Sequence, residues 1–302
     1  MNDLKDLNLN DFKIIDTHIH IGKYTSSFVN SSYEENQNDV AKSLNFKKII
    51  FIHNSFFTDL DLGIKNTLDF LSNNPDFAYA YIVYNPHYIE KSLSLIDEYF
   101  GSSNTAADLL KLENSPGKNS STEKISADIF NNKNSVKSRI LGIKIHPEDH
   151  QVAITDKRYE KLWEAAIKKD IPVLSHTWNP NVASKSQKYA DALLFEEVLS
   201  KHPDLKIILG HAGAKDYYYF KVIEMMKKNN GKNLFVDIAG DIFYRGMLEL
   251  FVRELGSTKI LFGTDSPWAD PLLTVLYVLD SKISVEDKEN IFYNNAAALF
   301  NI

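Results

Sequence analysis

Eight short runs of β-branched and aromatic residues alternate along this chain with amphipathic segments, and no other feature limits the available folds as tightly. The runs are FKIIDTHIH from Phe12, KKIIFIH from Lys47, FAYAYIVYNP from Phe77, ILGIKIHP from Ile140, IPVLSHT from Ile171, KIILGHAG from Lys206, NLFVDIA from Asn233 and KILFGTDSP from Lys259. Most are almost continuously apolar, the pattern of parallel strands covered on both faces. Between them, RYEKLWEAAIKKD places Tyr159, Leu162, Trp163, Ala166 and Ile167 on one helical face. YADALLFEEVLSKHPD and DYYYFKVIEMMKKNNGK read as helices too, the second ending at Gly231 as a C-cap. Strand–helix alternation repeated eight times in 302 residues predicts one α/β domain over 1–302, a (β/α)8 TIM barrel. An open doubly wound sheet is the alternative. The barrel is preferred because polar residues collect at the C-terminal ends of many strands rather than at one switch point.

The segment at about 101–138 breaks the pattern. It is rich in Ser, Asn and Lys, carries a Pro-Gly pair, and reads as a flexible insertion between the third and fourth strands. A surface insertion is the expectation, with a lid over the site as the alternative. The absence of cysteine rules out disulfides, thiolate metal sites and a cysteine nucleophile, so any metal must be held by His, Asp, Glu or a modified Lys. A net charge of −6 removes the electrostatic reason to propose nucleic acid as a partner. The N-terminus has no basic, then apolar, leader pattern, and no stretch reaches the roughly 20 apolar residues of a membrane helix. A cytoplasmic protein acting on a small molecule is expected.

The strand ends carry the chemistry. In a strand, residues i and i+2 share a face, so His18 and His20 project together, with Asp16. A His-x-His pair alone is a weak signal. His176 after PVLS, His211 after IILG, Asp265 after ILFGT, and Lys144 with His146 in GIKIHP add to it. These groups are costly to bury without partners, and a barrel brings them to one rim, where a shared metal ion and water would supply those partners.

With these motifs in place the chain resembles the amidohydrolase superfamily, in the amidohydrolase-related branch that includes aminocarboxymuconate semialdehyde decarboxylase alongside other decarboxylases and hydrolases. The resemblance runs from IIDTHIH through GIKIHP, VLSHT, ILGHAG and LFGTDSPW to the closing KENIFYNNAAALFNI. It implies that His18, His20, His176 and Asp265 bind a divalent metal, that Asp265 takes a proton from metal-bound water, and that His211 acts as acid/base or binds a second metal. Lys144 stands where binuclear members carry a carboxylated lysine bridging two metals. It would otherwise stay an ammonium that binds a substrate carboxylate or pairs with Asp265. A single ion is expected, Zn2+ first, with Mn2+ or another divalent metal as the alternative. The resemblance also allows a homodimer.

The expected reaction is hydrolysis of an amide, lactone or similar bond in a small organic molecule, by metal-activated water. The alternative is decarboxylation of a small carboxylic acid on the same site. Trp178 and Trp268 are candidate pocket walls, and Arg245 is a candidate anion contact, with a surface salt bridge as its preferred reading. His53 and His146 are read as hydrogen-bond partners behind the site, Asp16 and Asp237 as bracing groups, and Asp216 as a helix N-cap. Two further readings compete. A TatD-like phosphoryl hydrolase should carry Glu where this chain has Lys144, and a non-catalytic barrel has no use for the ligand set.

Overall fold

The computed structural model describes residues 9–23, 40–101, 136–182, 184–213, 216–230, 233–240 and 244–302. Eight strands form one sheet in chain order: β1 Ile14–Ile21, β2 Phe46–His53, β3 Ala78–Val83, β4 Ile140–Ile145, β5 Val173–Ser175, β6 Ile207–Leu209, β7 Leu234–Asp237 and β8 Ile260–Leu261. Every neighbouring pair is parallel. The seam between β8 and β1 is closed by backbone hydrogen bonds from Thr17 N to Phe262 O (2.9 Å), Asp265 N to His18 O (2.7 Å) and His20 N to Ser266 O (2.8 Å). The chain is a (β/α)8 barrel, and the open-sheet alternative is set aside.

Helices α1 Leu60–Asn73, α2 Ile89–Phe100, α3 Glu160–Lys168, α4 Phe195–Lys201, α5 Tyr218–Lys228, α6 Met247–Leu255 and α7 Pro271–Asp280 lie on the outside. Their starts follow ordinary capping chemistry. Asp59 accepts from Leu62 N at the head of α1, and Asp270 accepts from Leu272 N ahead of Pro271 in α7. On α3, Leu162, Trp163 and Ala166 are buried against the barrel as their spacing requires. Helix α5 ends at Lys228 with Asn229 as its C-cap, so the expected stop at Gly231 is corrected; Gly231 itself lies outside the described residues. Asp216 does not cap α5. Tyr217 holds that position without a side-chain bond, and Asp216 accepts from the Tyr244 hydroxyl instead. The segment at about 101–138 falls, for residues 102–135, outside the described residues.

Both faces of the strands are covered, which explains why the runs read as continuously apolar: all eight residues of β1 are buried. Strands β5, β6 and β8 are shorter than their apolar runs suggest. The site residues His176, His211 and Asp265 lie just past the strand ends. Past Leu209 and Leu261 the backbone leaves the ladder, with His211, Ala212 and Asp265 in the left-handed region (φ 60°, 52° and 56°). A non-glycine residue there costs energy and persists only where surrounding bonds hold it. At the start of the β6 turn, a Cβ on Gly210 would stand 2.8 Å from Ser175 O, so only glycine lets the turn pack against β5. Among the described residues no helix is long and apolar enough to cross a membrane.

Candidate metal and active site

The C-terminal strand ends surround a cavity of about 340 Å3, lined by His20, Phe57, His146, Glu148, His176, Trp178, Gln187, His211, Gly240, Asp265, Trp268 and Ala269. That volume lies at the small end of the roughly 300–1,000 Å3 typical of ligand pockets and suits a single-ring molecule. At its floor, ligand atoms of His18, His20 and Asp265 lie within 4.8 Å of one another.

The hydrogen bonds around this trio fix which ring nitrogens face inward. His18 Nδ1 donates to Asp237 Oδ2 at 2.9 Å, which leaves Nε2 as the acceptor, 3.6 Å from Asp265 Oδ1. Asn54 Nδ2 donates to Gly22 O at 2.7 Å, so its Oδ1 must accept from His20 Nδ1 at 3.0 Å. The His20 Nε2 lone pair is thereby turned toward Asp265 Oδ1, 3.4 Å away. Two imine nitrogens and a carboxylate converge at these distances, with Lys144 Nζ the cationic donor beside them, and a divalent ion would satisfy all three at once. Burial, then the neighbouring Lys144 charge, hold the His18 pKa well below its ordinary value, keeping the ring in the neutral form a metal requires. At Asp265, burial pushes the carboxyl up, but the close histidine rings of His20, His211 and His18 together outweigh it and hold the group below the usual carboxylate range. The donor set fits a divalent metal.

The other expected residues divide. Lys144 is fully buried, with Nζ donating to His18 Nε2 at 3.0 Å, and burial lowers its pKa to about 8. It sits beneath the pocket, not among its lining. His211 lines the pocket, but its ring is engaged at both ends, by Ala239 O (3.1 Å) and by His176 Nδ1 (3.1 Å). His176 lies outside the converging trio. Its ring is stacked between His146 (centroids 4.2 Å, 9°) and Trp178 (6.0 Å, 10°), with Nε2 buried beside Gln187. Trp178 and Trp268 both wall the pocket, Trp268 5.3 Å from the His20 ring. Arg245 does not: it is exposed on a separate depression with Glu249, Tyr277 and Lys282, which sets aside the candidate anion contact and leaves it on the surface.

Behind the site, Asp237 accepts from His18, from His211 N (2.8 Å) and from Ala239 N (3.1 Å), so one carboxylate orients two site histidines. Asp16 accepts from His18 N and from Thr264 N and Oγ1, tying β1 to the end of β8. His53 accepts from Ser55 N and packs under Gly22. His146 lines the pocket rather than standing behind it. Sequence reasoning missed Asn54, Glu148, Gln187 and Phe57. Only Asn54 left a local signal, as the residue directly after a strand-end histidine.

Comparison with known proteins places this geometry in a family. Residues 134–302 match the family model described as Amidohydrolase. The chain belongs to the amidohydrolase family. Among curated proteins, the γ-resorcylate decarboxylase of Polaromonas sp. JS666 is 25% identical over 179 residues, 48% of this chain and 55% of that protein. The γ-resorcylate decarboxylase of Rhodococcus jostii RHA1 is 23% identical over 180 residues, 48% of this chain and 54% of that protein. The match thus spans about half the length of these relatives. Among solved structures, 5-carboxyvanillate decarboxylase from Sphingomonas paucimobilis superposes with a TM-score of 0.70 at 12% identity, covering 96% of this chain and 99% of that one. A dihydroxybenzoic acid decarboxylase from Polaromonas sp. JS666, with bound manganese and 2-nitroresorcinol, gives 0.66 at 16% identity, covering 96% and 97%. These two likenesses establish the fold. The chain is a member of an enzyme family, and the expected hydrolysis is corrected: the curated relatives that match it are decarboxylases. Zinc is not singled out either, since the neighbour from Polaromonas holds manganese.

Proposed function

We propose that this protein is a metal-dependent decarboxylase of a small aromatic acid. The observation that carries this reading is the convergence of His18, His20 and Asp265 at the floor of a pocket walled by Phe57, Trp178 and Trp268. Aromatic walls suit a planar ring, and the matching relatives act as decarboxylases. His18, His20 and Asp265 would hold one divalent ion, Mn2+ or Zn2+, with His176 as the remaining candidate ligand. Such an ion supplies positive charge that polarises the substrate's carboxylate and a neighbouring oxygen.

The chain's own groups do the rest. The two tryptophans and Phe57 hold the ring flat and keep water from its faces. Aryl decarboxylation consumes one proton at the ring carbon that loses CO2, and the electron pair of the broken C–C bond becomes the new C–H bond. Asp265, at the pocket floor, is the group placed to carry that proton. His211 is fixed by Asp237, Ala239 and His176 and orients the substrate from the β6 side. Lys144 keeps a positive charge under the floor, and Asp16 and Asp237 hold the histidines in place. The substrate is a free small molecule and no nucleic acid is involved. A homodimer in the cytoplasm completes the proposal. The test is incubation of Mn2+-loaded protein with a panel of hydroxybenzoates, following CO2 release and the decarboxylated phenol. Turnover of at least one supports the reading, and none across the panel overturns it.

A further inference from the structure

The pocket has two chemically different poles. Barrel order puts β4 across from β8, so the residues after β4 face the metal side from the opposite wall. On that wall His146 Nδ1 accepts from Asp149 N at 3.2 Å, which makes Nε2 the protonated nitrogen and leaves an N–H donor directed away from the backbone. Stacking on His176 and edge contact with Phe57 (5.3 Å, 82°) hold the His146 ring in that orientation. Two residues on, Glu148 lines the same pocket. Its Oε1 accepts from Ser186 Oγ, and among the described residues the Glu148 carboxylate has no other hydrogen-bond or ion-pair partner. The β4 wall therefore brings one donor and one acceptor to the same pocket.

Among the described residues, no Lys or Arg lines the pocket, so a substrate carboxylate meets no described cationic side chain at the β4 wall, and Glu148 repels it. The acid must point its carboxylate toward His18, His20 and Asp265. We propose that His146 and Glu148 together read a ring hydroxyl at the end of the substrate opposite its carboxylate. A phenolic hydroxyl can accept from His146 Nε2–H and donate to Glu148 at once. A methoxy group can only accept, and a hydrogen does neither. The inference rests on the decarboxylase reading for the class of acid, and it adds the substituent that selects within that class. His146 and Glu148 are specificity residues, and the reacting atoms lie at the other pole.

The test uses three probes on Mn2+-loaded protein: 2-hydroxybenzoate, 2,4-dihydroxybenzoate and 2-hydroxy-4-methoxybenzoate. Binding is read by quenching of tryptophan fluorescence, since Trp178 and Trp268 wall the pocket, and decarboxylation is followed in parallel. The wild-type protein should bind the 4-hydroxy acid at least about tenfold more tightly than the other two, as expected for a hydrogen bond to a charged group. Glu148→Gln, which keeps an acceptor for Ser186, should bring the ratio between the 4-hydroxy and 4-methoxy acids close to one, because the accepting carboxylate is lost while the His146 N–H, which both oxygens can use, remains. Equal affinities in the wild type, a ratio unchanged in Glu148→Gln, or no binding of any probe overturns the inference; the wild-type comparison decides even if the variant fails to fold. Turnover without the hydroxyl preference would sink this inference alone. The preference without turnover would sink the decarboxylase reading and leave the pole assignment standing.

Discussion

Replacing Asp237 by Asn should weaken metal binding through a proton on a different residue. In the native site the Asp237 carboxylate accepts from His18 Nδ1–H at 2.9 Å and so presents the Nε2 lone pair to the cluster. Its other oxygen accepts from His211 N and Ala239 N. Those two backbone donors will keep the Asn carbonyl oxygen on their side, which turns the new NH2 toward His18. His18 must then accept at Nδ1 and carry its proton on Nε2, the atom 3.6 Å from Asp265. The ligand would have to change tautomer before it could bind an ion. Loss of an orienting partner behind a metal ligand typically costs 10- to 100-fold in affinity, about 1.4–2.8 kcal/mol. Burial already pushes the Asp237 pKa up, so removing its charge relieves a desolvation cost, and thermal stability without metal should change little. The assay is competition for Mn2+ against a fluorescent chelator, with the His18 tautomer read from 15N shifts of the imidazole nitrogens. A dissociation constant within about threefold of wild type, or Nε2 still unprotonated, would refute the reasoning.

The remaining predictions probe neighbouring parts of the same frame. Asn54→Ala removes the acceptor for His20 Nδ1 and the donor to Gly22 O, and should weaken Mn2+ binding about tenfold by the same chelator competition. Gly22→Ala places a Cβ 2.5 Å from His53 Cε1 at φ +84°, and should destabilise the protein by about 2 kcal/mol in urea unfolding. His150 is buried with neither ring nitrogen hydrogen-bonded, and burial lowers its pKa to about 4 from 6.5. A histidine whose folded pKa is depressed contributes stability above its unfolded pKa and loses it as pH falls toward the folded one. The chain should therefore lose up to about 3 kcal/mol from this site between pH 6.5 and 4. His150→Phe should flatten that part of the stability–pH curve, and an unchanged slope would contradict the assignment.

What could be read in the sequence was whatever is local. His18 and His20 share a face because strand geometry alone puts them there. His211 and Asp265 stood out because each is a polar group following an apolar run. Strand order followed from the βα alternation. Contacts made by folding were not legible. Nothing near Glu148 or Gln187 in the chain marks them as pocket residues, since each reaches the site from a short helical segment whose path depends on what it packs against. Arg245 entered as a pocket candidate only through its proximity in sequence to β7, and its side chain lies beside α6 and Tyr277 instead. His176 was assigned from its strand end, but that position does not encode the stacking on His146 and Trp178 that sets its ring. The reaction itself was misjudged because a metal trio serves hydrolysis and decarboxylation equally well. The difference lies in the substrate, which the ligands do not specify.

The central claim is that these residues hold a metal that the protein uses to remove CO2 from an aromatic acid. It is tested most directly by measuring CO2 release from hydroxybenzoates with protein stripped by chelator, then reloaded with Mn2+, beside Asp265→Asn treated identically. The account predicts release that is absent after stripping, restored by metal, and reduced at least about a hundredfold in a folded Asp265→Asn variant. Release that persists in stripped protein, or that survives undiminished in Asp265→Asn, would contradict it.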